Sequence, residues 1–222
     1  MKDSKQILAV GSIAYDSIKT PKGDRDRILG GSCTYFSVAA SYYAQTFIIG
    51  VVGNDFDKDS WDLFEKYNIN TQCVEVADGK TFSWGGEYNH DYSKRETLFT
   101  HLGVFENFNP KINIDIGNPI LYLGNIQPDL QLEVIDKIKS KYLIAADSMN
   151  LWINLFPKKV WELISKVNVF MLNDEEAIQL TNKSNLESIA DDFLNLGPRI
   201  VIIKMGGEGA LVAYENKKVY VS

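Results

Sequence analysis

Five groups of residues in this chain have types and spacings that could do chemistry. Asp16 stands five residues after Gly11, where a short apolar run (residues 7–10) ends. A carboxylate delivered by a buried strand accepts two hydroxyl hydrogen bonds and can grip a vicinal diol, and charge-assisted bonds of this kind are the strong ones. Gly30-Gly31 precede a helix expected over residues 32–44 and started by Ser32. Glycines lack Cβ, so a ligand could approach the backbone amides of that helix start closely. Together these two features point to a polyhydroxylated small molecule. Asn173 and Glu176 lie three apart at a helix start, hence on one face, although Asn and acids also suit a plain helix N-terminus. Lys204 ends an apolar run just before Gly206-Gly207-Glu208-Gly209. Asn125 and Asp147 each follow an apolar run, at the strand ends where ligands collect in open α/β sheets.

The elements that must position these groups follow from periodicity. Residues 7–10 and 47–52 read as buried strands, and 57–67 as an amphipathic helix with Trp61, Phe64 and Tyr67 on one face. Strand, helix, strand, helix favours a parallel sheet covered by helices. From about 71 to 102 the helical period disappears. Short strands are expected at 73–77, 81–88 and 95–102, punctuated by Gly79, Gly85-Gly86 and a polar turn at 89–94. Trp84, Phe82, Tyr88 and Phe99 give this insertion more aromatic surface than a plain meander needs. Alternation then resumes. Strands are expected at 120–123, 142–146, 167–172, 200–204, 210–214 and 218–221, with helices from Pro128 and over 157–165, 173–181 and 186–196. Pro128 suits a first helical position.

With 222 residues the chain is long enough for one sizeable α/β domain. Its 29 acids outnumber its 23 bases, for a net charge of −6, which argues against a nucleic-acid surface. Cys33 and Cys73 belong to no Cys-x-x-Cys pair or Cys/His cluster, so neither zinc nor a secreted disulfide scaffold is indicated. His90 and His101 have no partner at ligand spacing and read as structural or exposed. No run of 18 apolar residues offers a membrane span, and the cytoplasm is the expected compartment.

Six motifs occur in order: VGSIAYDSI, GGSCTYFSVAAS, VVGNDF, ADSMNLW, NDEE and KMGGEGA. In this order they resemble the ribokinase-like (PfkB) family of carbohydrate and nucleoside kinases, from Ile7 to the last residue. The resemblance implies a three-layer α/β/α ribokinase-like domain over 1–222. It implies a β lid from about 71 to 102, sharing a lid strand at about 14–20. The implied activity is ATP- and Mg2+-dependent phosphorylation of a hydroxyl on a sugar or sugar-like molecule.

It also implies roles. Asp16, Gly30, Gly31, Tyr35, Trp84, Asn125 and Asp147 would face the substrate. Asp147, Asn150 and Trp152 look like the D-x-x-N-x-W stretch of sugar kinases. Asn173, Lys204, Gly206 and Gly209 would face the nucleotide, and Glu176 the magnesium, through water. Tyr35 and Ala14 stand where relatives carry Asn, which makes the site less polar than a ribose site. The family's acidic D-T-x-G-A-G-D run, whose last Asp is the base, does not occur, so the catalytic base is expected beyond Ser222. The implied lid allows a homodimer. Two other readings stay open: a nucleoside kinase of the same fold, in which Tyr35, Trp84 and Phe82 stack a base, and a non-catalytic ligand-binding module.

Overall fold

The computed structural model describes residues 5–92, 95–138 and 142–222; the last two residues of the expected polar turn at 89–94 fall outside them. The chain forms two compact units, Met1–Ile116 and Gly117–Ser222.

In the first unit, β1 (Gln6–Val10) is followed by β2 (Ala14–Thr20), β3 (Gly23–Gly30), α1 (Ser32–Ser41), β4 (Gln45–Gly53), α2 (Lys58–Lys66) and β5 (Asn70–Ala77). Then come β6 (Phe82–Tyr88) and β7 (Arg95–His101). β1 pairs with β4, and β4 with β5, both parallel. Leu8, Ala9, Val10, Ile48, Ile49 and Val52 are buried in these strands, the near-continuous apolar pattern of a sheet covered on both faces. α2 starts where the Asp57 side chain accepts from the Ser60 amide at 2.9 Å. Its inner face closes on an aromatic cluster of Phe56, Trp61 and Phe64.

A second, four-stranded sheet runs in the order β3-β2-β6-β7. It departs from expectation in two ways. β3 is a strand that the apolar periodicity did not suggest; its Gly-Asp-Arg-Asp-Arg start is exposed, and charges on an edge strand protect it from pairing with another chain. β5 was expected inside the insertion of about 71–102, yet it pairs with β4 and lies outside the small sheet. α1 ends at Ser41, short of the expected residue 44.

The second unit holds β8 (Ile120–Leu123), α3 (Pro128–Lys137), β9 (Leu143–Asp147), α4 (Asn150–Leu155), α5 (Pro157–Ile164) and β10 (Val169–Asn173). α6 (Asp174–Thr181), α7 (Leu186–Leu194), β11 (Ile200–Lys204), β12 (Ala210–Tyr214) and β13 (Lys217–Val221) complete it. β8, β9, β10 and β11 pair in parallel in that order. β12 and β13 continue antiparallel as hairpin strands. Pro128 and Pro157 each sit in the first turn of a helix, where a missing N–H costs nothing. α4 is an element the periodicity did not suggest. α7 buries Ile189, Ala190 and Phe193 against β11 and β12.

Candidate functional site

Within the first unit, β2 turns Tyr15 and Asp16 to opposite sides, as alternation along a strand requires. Tyr15 anchors the strand: its hydroxyl donates to Asp57 Oδ2 at 2.9 Å and accepts from the Asp57 amide at 3.0 Å. The Arg27 guanidinium lies 3.9 Å over its ring and pairs with Asp55 at 3.2 Å. Asp16 is half-buried. Burial pushes its carboxyl up to about 6, against the pull of the positive Arg95. Among the described residues no hydrogen bond reaches that carboxylate.

The glycine pair does a different job from the one expected. A Cβ on Gly30 would overlap the Asp16 carboxylate, and one on Gly31 would overlap the Ser12 carbonyl oxygen. Gly31 also adopts a φ of 94°, in the region side chains avoid. Two of the helix-start amides are already engaged within the chain. Ser32 N–H donates to Ser12 Oγ at 3.1 Å and Cys33 N–H to the Ser12 carbonyl at 3.0 Å. Glycine here admits the chain's own groups, and Ser12 takes the amides that were expected to meet substrate.

Asp16 pairs in register with Trp84 across β2 and β6, so the two share a face of the small sheet. Gly86 and Tyr88 follow on that face at two-residue steps, and Arg95 lies opposite Tyr88 on β7. The Arg95 guanidinium sits 5.0 Å over the Trp84 ring. The indole rests on Gly86, where a Cβ would overlap its benzene edge; on the neighbouring residue the Phe99 ring fills the same space over Gly85. Tyr35 arrives from α1, 59% exposed. Its phenol is pushed up by burial, then by the negative charges of Asp16 and an ionised Tyr88, so the three groups lie within electrostatic reach. Phe82 instead stacks on Phe105 at 5.3 Å. Arg95 carries no motif of its own in the sequence; only strand register reveals it.

Within the second unit, Asp147, Asn173 and Lys204 are the last residues of β9, β10 and β11. Register sets Asp147 opposite Met171 and Asn173 opposite Lys204. Lys204 Nζ lies 3.0 Å from Asp147 Oδ2 and 3.3 Å from Oδ1. Burial pushes the Asp147 carboxyl up, and Lys204 pulls it back. Asn173 and Glu176 form a reciprocal capping box: Asn173 N–H donates to Glu176 Oε2 at 2.9 Å and Glu176 N–H to Asn173 Oδ1 at 2.7 Å. Glu176 is 8% exposed. Its carboxyl is pushed up mainly by burial, with the Asp147 charge adding and the Asn173 amide and Lys204 opposing.

Asn125 accepts from Trp152 Nε1–H at 2.8 Å. Gln131, fully buried on α3, was not anticipated; its Nε2 donates to the carbonyls of Leu123 (3.3 Å), Gly124 (2.9 Å) and Asp147 (2.9 Å). A glutamine among the apolar positions of a helix was the available signal. A Cβ on Gly206 or Gly207 would meet nothing within 4 Å, whereas one on Gly209 would overlap the Val221 carbonyl. Of the two histidines, His90 is exposed and His101 stacks on Phe99 at 4.8 Å. Both cysteines are buried and free. Among the described residues no three His, Cys, Asp or Glu cluster to hold a metal directly, and no helix is long and apolar enough to cross a membrane.

A family model described as pfkB family carbohydrate kinase matches residues 5–222. The chain belongs to the pfkB family. Among curated relatives it is similar to the cytidine kinase of Thermococcus kodakarensis, 22% identical over 214 residues that cover 93% of this chain and 75% of the relative. It is also similar to the ribokinase of Staphylococcus aureus, 23% identical over 191 residues, 82% of this chain and 62% of the relative. Among solved structures, a fructokinase double mutant from Vibrio cholerae, bound to fructose, ADP and potassium ion, superposes with a TM-score of 0.76. That match is 18% identical and covers 100% of this chain and 77% of the fructokinase. The fold is therefore the α/β ribokinase-like one that the pfkB motifs implied.

Proposed function

We propose that the chain carries binding residues of a pfkB kinase that phosphorylates a hydroxyl of a sugar, using ATP and Mg2+. The observation that carries this reading is Asp16: a half-buried carboxylate to which no described residue donates, seated on Gly30. A buried acceptor without donors is costly, and vicinal hydroxyls are the donors that suit it. Tyr35 and Trp84 complete the substrate group in the first unit, with Gly31 shaping the turn beside it. In the second, Lys204, Gly206, Gly209 and Asn173 serve the nucleotide, and Asn125 and Asp147 the substrate. The open space over Gly206 and Gly207 suits a phosphate against backbone.

The donor set also fits magnesium as a hydrated ion. The half-buried Asp147 and the buried Glu176 are mutually repelling carboxylates, and Mg2+ is typically held by one or two carboxylates while keeping several waters. Glu176 would meet it through water, and the bound ion would neutralise phosphate charge. Lys204 holds Asp147 in place at the strand ends. No residue of the chain is given the role of base.

A nucleoside as substrate is the second reading, favoured by the exposed Tyr35 ring and the similarity to a cytidine kinase. Arg95 already lies over Trp84, which leaves Tyr35 as the ring open to a base. The same proposal puts the protein in the cytoplasm, with the small sheet pairing two copies as a homodimer.

Thermal-shift titration of the chain with neutral sugars and nucleosides, with and without ATP-Mg2+, tests the proposal. Stabilisation by a polyol ligand that Asp16→Asn abolishes is expected. Stabilisation that survives Asp16→Asn, or none from any hydroxylated ligand, overturns it.

A further inference from the structure

Asp16, Trp84, Tyr88 and Arg95 share one face of the small sheet by register, and Tyr35 reaches it from α1. The donors and acceptors on this face are unevenly divided. Asp16 is the anion. Opposed to it stand a guanidinium and two phenols. Arg95 is exposed and lies farther than 4.0 Å from every described carboxylate, Asp16 included. Among the described residues its side chain donates no hydrogen bond; its partners are the Trp84 ring and the distant charge of Asp16.

The head group is nonetheless positioned. The guanidinium carbon lies 5.0 Å from the Trp84 ring centroid, and a guanidinium carries its N–H donors in one plane, the fork that matches a carboxylate or phosphate bidentately. Trp84 is itself seated on the bare backbone of Gly86, so the platform has little room to shift. Glu87 and Glu96 face each other in register one residue over, hence on the opposite side of the sheet, and do not compete for Arg95.

We infer that Arg95 is a specificity-determining residue that pairs with an anionic group, a carboxylate or a phosphate monoester, on a substrate whose hydroxyls Asp16 holds. This rests on the reading of Asp16 as the hydroxyl acceptor. A sugar acid or a sugar phosphate offers hydroxyls at one end and two acceptor oxygens at the other, matching the division on the sheet face. A neutral sugar leaves the fork unused.

The test is a set of matched ligands titrated calorimetrically against the chain: an aldonic acid, the aldose phosphate, the neutral aldose and a neutral nucleoside. At least one anionic ligand should bind about tenfold or more tighter than its neutral partner, the range of a charge-assisted pair. Arg95→Gln should erase that preference and leave neutral-sugar affinity within about twofold, while Arg95→Lys, a point charge without the fork, retains part of it. Which anionic arm wins identifies the group as carboxylate or phosphate. Equal binding of neutral and anionic ligands, a preference for the nucleoside, or a preference that survives Arg95→Gln overturns the inference. Binding of the neutral sugar that Asp16→Asn abolishes, with no anionic ligand bound more tightly, would do so while leaving the Asp16 reading intact. Binding unaffected by Asp16→Asn, or no binding by any ligand, overturns that reading itself.

Discussion

The carboxylate of Asp16 on β2 occupies the space that a Cβ on Gly30 of the adjacent β3 would fill. One strand's missing side chain sets the rotamer of the other's acid. Gly30→Ala should therefore push Asp16 aside and abolish ligand-induced stabilisation, at a cost of about 1 kcal/mol in folding, the low end for overpacking. Gly31→Ala should behave differently. Its positive φ and its contact with the Ser12 carbonyl are backbone constraints, so about 3 kcal/mol of stability should go. Urea denaturation alongside thermal-shift titration separates the two; equal stability losses would contradict the assignment.

Asp16 should also leave opposite signatures on stability and on binding. Its carboxyl rises from an ordinary 3.8 to about 6 in the folded chain. Between those values the folded state holds more protons than the unfolded one, so stability falls as pH rises through the window. The full cost is present above it. Because Asp16 is only half-buried, about 1 kcal/mol is expected after solvent screening. Asp16→Asn should melt higher than wild type at pH 7 and with it at pH 4. Affinity for a hydroxylated ligand should run the other way, strengthening from pH 5 to 7 as the acceptor ionises. Affinity that weakens over that interval would remove Asp16 from the hydroxyl-binding role.

Lys204 is the partner that offsets the charge of the half-buried Asp147, with Nζ 3.0 Å from Oδ2. Lys204→Met should cost about 1 kcal/mol, because Lys204 is exposed and Asp147 only partly buried, so solvent screens the charge left behind. The direction of the Asp147 shift follows: loss of the lysine removes the opposing pull and raises the carboxyl further. Asp147→Asn in the Lys204→Met background should recover most of the loss. Additive losses in this double-mutant cycle would mean the two residues are not coupled.

The Trp152–Asn125 bond ties α4 to the segment after β8. Asn125→Ala should cost about 1 kcal/mol, the net worth of one hydrogen bond. Trp152→Phe should cost no more in the Asn125→Ala background than the packing loss alone. Tryptophan emission of the Asn125→Ala chain should shift to the red as the indole N–H turns to water. An unchanged spectrum and midpoint would mean that the bond carries no weight.

Much of this was legible in the sequence because the parallel strands are buried on both faces and read as uninterrupted apolar runs. The ends of those runs gave Asp147, Asn173 and Lys204 to within a residue. The Asn173/Glu176 spacing supported two readings, and the capping box is visible in the structure. β3 was hidden because its alternation is of charge rather than of hydrophobicity, so it has no apolar period. β5 went to the wrong neighbour because strand propensity carries no information about pairing. Arg95 was missed for the same reason: its relation to Trp84 exists only once β6 and β7 are in register. The amides of α1 were misjudged because Ser12, twenty positions earlier in the chain, is invisible as their acceptor until β1 and α1 are packed.

Gly85 and Gly86 divide the small sheet's residues by their freedom to change. Any side chain at these two positions must evict an aromatic ring, Phe99 from one side or Trp84 from the other. Positions 35, 84 and 95 carry no such burden. A lineage altering what this face accepts can thus exchange the ring, the phenol or the cation one codon at a time, on an unchanging strip of bare backbone.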